Sequence, residues 1–123
     1  MTNNKLPRER LNRKPDFCVK YSYIDDQPEQ AIKLYQGIRS DFCFADDYDK
    51  RQLYIIWPEF IHASGEPISA NSEAEKQGLA LMYILFDESR DEIRAKLKEG
   101  VRGFIVMGSR KIALAEVESV YSD

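Results

Sequence analysis

An all-β fold, a closed barrel or a sandwich, follows from three observations. Apolar residues alternate with polar ones at period two in several short runs. Those runs are separated by clusters of Gly, Pro, Asp and Ser. Only one clear amphipathic helix interrupts them, too little helix for the crossovers of a parallel sheet. With 123 residues and a 43% hydrophobic fraction, the chain suits one domain with a real core.

The first run, Asp16 to Ile24, sets Phe17, Val19, Tyr21 and Tyr23 against Cys18, Lys20 and Ser22. Asp25, Asp26 and Pro28 break it, and Glu29 to Tyr35 has room for a helical turn. Arg39 to Ala45 alternates again, with Phe42 and Phe44 on one face. A polar turn, Asp46 to Lys50, follows. Gln52 to Trp57 is apolar on both faces, as in a buried strand, and Pro58 is expected to end or edge it. Ser64, Gly65 and Pro67 mark the next turn, and Gly78 to Phe86 is the most apolar run, read as a central strand.

Ser89 to Gly100 predicts the one helix, centred on residues 90–99. Ser89 and Glu92 have capping-box spacing, Ile93 and Leu97 form an apolar stripe, and Gly100 is placed as a stop. Val101 to Met107 and Lys111 to Tyr121 predict a final hairpin around Gly108 and Ser109. A change of phase near Ala115 to Val117 predicts a bulge there.

The formal charge is −3, unevenly spread. Residues 1–14 carry five basic side chains against Glu9, a net of +4, which leaves −7 for the rest. The chain therefore divides into a flexible basic arm, 1–14, and a single β-domain, 15–123. No apolar run approaches the roughly 20 residues of a membrane-spanning helix, and residues 1–14 have no signal-peptide pattern. A cytoplasmic protein is expected. Cys18 and Cys43 lack redox or zinc spacing and read as small buried thiols. His62 has no ligand-spaced companions, Asp46, Asp47 and Asp49 lack the calcium-loop pattern, and no phosphate-binding loop occurs. Neither metal, cofactor nor catalytic residue is expected, and the protein reads as a non-enzyme.

The segment Gly37-Ile38-Arg39-Ser40-Asp41-Phe42-Cys43-Phe44 resembles the G-Y-R-P-Q-F-Y-F segment of the third domain of elongation factor Tu. Gly108-Ser109-Arg110-Lys111-Ile112-Ala113 resembles that domain's G-G-R-T-V-G turn. Order and spacing agree from about Phe17 to Val120. The resemblance implies a six-stranded antiparallel closed β-barrel, standing without the GTPase part. It also implies a binding face, since the corresponding family segments meet the T-stem of aminoacyl-tRNA. Ser40-Asp41 replaces the family's Pro-Gln, and Met107 stands where the family has Glu. An acid at Asp41 repels phosphate, which turns the expectation from RNA towards a protein partner.

The expected binding residues are Arg39, Asp41, Arg102, Ser109, Arg110 and Lys111. Two alternatives are an RNA-binding protein using the basic arm and the Arg face, and an acidic immunity-type protein that neutralises a toxin. Monomer and dimer both remain open.

Overall fold

The computed structural model describes residues 6–24, 32–50, 52–108 and 110–122. They form six strands: β1 (Phe17–Tyr23), β2 (Ser40–Phe44), β3 (Tyr54–Ile61), β4 (Gln77–Ile84), β5 (Arg102–Met107) and β6 (Arg110–Val120). All pair antiparallel and close into one barrel in the order β1-β4-β3-β2-β5-β6, with β6 returning to β1. Two short α-helices, α1 (Pro7–Leu11) and α2 (Asp87–Lys96), and a 3-10 helix at Ala45–Lys50 decorate the outside.

The alternation seen in the sequence becomes the two faces of the barrel wall. Phe17, Val19 and Tyr21 from β1, Phe42 and Phe44 from β2, and Ile56 and Phe60 from β3 fill the interior. Their rings meet edge to face: Phe17 and Phe42 at 5.5 Å, Phe42 and Phe44 at 5.1 Å, Tyr21 and Phe60 at 5.3 Å. Ala80, Ala113 and Ala115 are fully buried small residues. The alanines lie on β4 and β6, the two strands that flank β1, so small residues stand beside the large rings of β1 and β3 and leave them room in the lumen.

Pro58 does not end β3, which runs on to Ile61. Met82, opposite Pro58, turns its carbonyl to Asp16 beside β1 rather than to β3. The imide nitrogen of Pro58 therefore faces β2, whose pairing with β3 stops at Ser40 and Ile56. No ladder bond is lost, because at that point β3 is locally an edge.

The helix begins earlier than its pattern suggests. Phe86 is the N-cap, with no side-chain hydrogen bond, and the Ser89–Glu92 capping box is not formed. Asp87 and Glu88 supply the negative charge of the first turn instead. The helix stops at Lys96, and Gly100 adopts φ 91° in the following turn, where its N–H donates to Val117. Ile93 and Leu97 are buried as expected.

The phase change in β6 resolves into two irregularities that flank the predicted position. Ile105 pairs with Ala113 but Val106 with Lys111, so Ile112 is the extra residue. Cys18 pairs with Ser119 but Val19 with Val117, so Glu118 is the second. The first lets Ile112 and Ala113 both turn inward.

The described part of the basic arm, Leu6 to Lys14, carries α1 and is tied to the barrel through Arg8 and Arg13. Asp25, Asp26, Pro28 and residues 29–31 of the suggested helical turn lie outside the described residues. Ile32 to Leu34 have no regular structure, and Tyr35 makes an isolated bridge with Glu73.

Both thiols are buried and free. Burial pushes the Cys18 thiol up from 9.0 to about 11 and the Tyr83 hydroxyl up from 10.0 to about 12. Each group holds its proton more tightly folded than unfolded. Stability should therefore be intact below pH 9.0 and fall as pH rises through about 11 and about 12. Urea midpoints measured on both sides of that window should drop on the alkaline side. An unchanged midpoint would contradict the burial of these groups.

Candidate functional site

Strands β2, β5 and β6 carry most of the residues singled out from the sequence. Asp41 lies opposite Val106, and Val106 opposite Lys111. Two residues before Asp41, Arg39 comes level with the β5–β6 turn, which Arg110 follows. The topology thus brings Arg39, Asp41, Arg110 and Lys111 to one end of the barrel. Arg102 is parted from them, at the far end of β5, about 17 Å along a strand of that length. Ser109 lies outside the described residues.

The cations on this face are held by rings. Arg39 stacks on the Trp57 indole at 4.8 Å, and the indole Nε1 donates to the Gly37 carbonyl at 3.2 Å. Lys111 sits 4.0 Å from the Tyr48 ring and 4.4 Å from Phe104. Tyr48 comes from the 3-10 helix, which folds back on β5 and packs edge to face on Phe104 at 5.7 Å. Burial raises the Asp41 carboxyl above its ordinary pKa.

Asp41 also pairs with Ile55 on its other side. Across four strands the outward-facing row therefore reads Ile55, Asp41, Val106, Lys111, with Val106 itself covered at 2% exposure. Ile55 is 39% exposed, as is Leu53 just before β3. Arg110 is exposed at the rim. The result is a mixed apolar and charged surface with stacked cations, the composition that favours macromolecular contact.

The most heavily built polar constellation was not read from the sequence. Asp16, just before β1, is 0% exposed. Its Oδ2 accepts from Arg13 at 3.0 Å and from the Ile84 N–H at 2.8 Å. Its Oδ1 accepts from Arg90 Nε at 2.8 Å and from Arg94 at 3.2 Å. Arg13 also donates to the Ile84 carbonyl at 2.6 Å, and Arg94 to the Tyr121 carbonyl. One carboxylate joins the arm, β4, α2 and the residue after β6.

Glu59 is a second buried acid, on the outer face of β3 and also 0% exposed. It accepts from the Arg8 backbone N–H at 3.1 Å and from Arg8 Nε at 2.7 Å. These two carboxylates fasten the described part of the arm along β3 and β4, with Arg13 over the Tyr83 ring at 5.6 Å. A readable trace existed in α2. Arg90 and Arg94 are four apart, a like-charge pair that an isolated helix disfavours and that calls for an anion beside it.

His62 is exposed in the turn after β3, where its N–H donates to Glu66 at 2.8 Å. Asp47 pairs with Lys96 at 2.8 Å. Among the described residues no group of three or more His, Cys, Asp or Glu is placed to hold a metal ion. No helix among them is long and apolar enough to cross a membrane. No family model matches the chain, and no curated protein matches it.

Proposed function

We propose that this chain is a non-enzymatic, cytoplasmic binding module on a barrel of the elongation factor Tu third-domain type, and that its partner is a protein. The two family-like segments support the reading by their placement. One leads into β2, the other forms the β5–β6 turn and the start of β6, and both meet at one barrel end. The observation that carries the choice of partner is the row Ile55, Asp41, Val106, Lys111, with exposed Leu53 and the Arg39–Trp57 stack beside it. Exposed aliphatics next to a stacked arginine suit a desolvated protein contact better than a phosphate backbone. An acid in the middle of the row works against RNA. So does the state of the arm, whose Arg8 and Arg13 are engaged by Glu59 and Asp16.

The test is affinity capture from native cytosol with the full-length chain, duplicated after RNase treatment. The same protein should be recovered from both samples. Ile55→Glu and Arg39→Glu should each reduce its recovery at least tenfold, about 1.4 kcal/mol, while the barrel stays folded because both side chains are exposed. Capture lost on RNase treatment would favour the RNA reading. Capture indifferent to both variants would move the interface elsewhere.

A further inference from the structure

At the barrel end opposite the β5–β6 turn, the 3-10 helix and the C-terminal turn of α2 enclose a cleft of about 620 Å³. Its floor is apolar, made by Phe44, Ala45, Ala95 and Val101. Its two sides differ in charge. The 3-10 helix contributes Asp46 and Asp47; the α2–β5 side contributes Lys96, Lys98 and Arg102. Lys96 spans the cleft to Asp47 at 2.8 Å and lies 5.6 Å from the Phe44 ring. Glu92 and Glu116 stand at the margins, Glu116 at 3.6 Å from Arg102 in a pair that is largely exposed on both sides.

We propose that this cleft binds a small zwitterion with an apolar body, of the chemical class of a hydrophobic α-amino acid. The ligand's carboxylate would meet Lys98 and Arg102, its ammonium Asp46, and its apolar part Phe44 and Val101. A simple anion fits less well, because the acids of the 3-10 helix face it. A simple cation fits less well for the mirror reason. A dipolar ligand satisfies both walls, and the Lys96–Asp47 pair already shows one positive and one negative group joined across the gap. The volume lies in the range of small-molecule sites, roughly 300–1,000 Å³.

Tyr54, buried within the barrel behind the floor, packs on Phe44 with ring centroids 6.2 Å apart. Its hydroxyl is buried and faces the Glu92 carboxylate at the margin of the cleft. Burial raises its pKa, with Lys96 opposing and with Glu92 and Asp47 adding to the rise, which places the ring oxygen beside the charged groups of the cleft.

The test follows backbone amide shifts of the full chain during titration with three probes of one shape: phenylalanine, 3-phenylpropionate and 2-phenylethylamine. Phenylalanine should give saturable shifts at Ala45, Asp46, Val101 and Arg102, with an affinity at least about fivefold better than either singly charged probe, the scale of one exposed ion pair. The double variant Lys98→Glu, Arg102→Glu should weaken phenylalanine at least about tenfold and leave the rest of the spectrum in place, since both side chains are exposed. Absence of saturable shifts at these amides would overturn the proposal. Equal binding of 3-phenylpropionate, or no effect of the double variant, would overturn it as well. Each outcome is independent of the protein-binding face, which lies at the other end of β5.

Discussion

Asp16→Ala should destabilise the barrel by about 3–5 kcal/mol, the range for removing one partner from a buried ionic network. The reason is the imbalance it leaves. Asp16 is the acceptor for three guanidinium groups and one backbone amide, and Arg13, Arg90 and Arg94 are all partly covered. Without the carboxylate, three like charges face one another in a partly desolvated space, and the Ile84 N–H loses its acceptor. Asp16→Asn preserves shape and should recover only part of the loss. An amide accepts at one oxygen and brings two unwanted donors against the arginines. Urea denaturation of the three proteins reads the effect directly. A loss below about 1 kcal/mol for Asp16→Ala would mean that the cluster is solvated and contributes as surface pairs do.

Gly103→Ala should cost about 3 kcal/mol, at the upper end for overpacking. Gly103 lies in β5 opposite Phe44. A methyl group there would fall 2.5 Å from Phe42 Cζ and 2.7 Å from the Cys43 carbonyl oxygen. The ring has little room to swing, since Phe17 and Phe44 hold it on two sides. The carbonyl belongs to the β2–β5 ladder and moves only with the strand. Adding Phe42→Leu should restore a fraction of the stability, because the ring contact disappears and the carbonyl contact stays. A double variant no more stable than Gly103→Ala would place the whole clash on the backbone. A mild effect of Gly103→Ala alone would mean that β2 and β5 separate easily.

Much of this architecture is legible from local pattern. Phe17 to Tyr23 and Ser40 to Phe44 alternate because one face looks into the barrel, and period two survives any tertiary arrangement. Pro58 allows either an end or an edge, and the choice between them is nonlocal: β3 is an edge there because β2 stops short of it, and that stop lies in another segment. Ser89 misleads because Asp87 and Glu88 start the helix before the capping signal is reached. The end of the barrel shared by Arg39, Asp41, Arg110 and Lys111 is foreshadowed by two short motifs, whereas Arg102 was grouped with them by residue type and stands apart. The buried acids are the hardest to foresee. Asp16 and Glu59 look like ordinary surface carboxylates in the chain, and each is buried by residues more than 50 positions away. Only the Arg90 and Arg94 spacing hints that an anion must lie nearby.

The position of β1 in the barrel has a consequence for how the protein is made. β1 is bonded to β4 on one side and to β6 on the other. During synthesis, residues 17–23 leave the ribosome long before residues 110–120, at a rate of roughly 5–20 residues per second. For several seconds the nascent chain therefore holds a strand with an unpaired flank, rich in Phe, Val and Tyr, which a neighbouring nascent chain can capture as readily as its own last strand. Seam closure late in translation makes β6 the step at which correct folding competes with intermolecular pairing. Shortening that interval, by faster decoding of the last third of the message, should raise the yield of monomeric barrel.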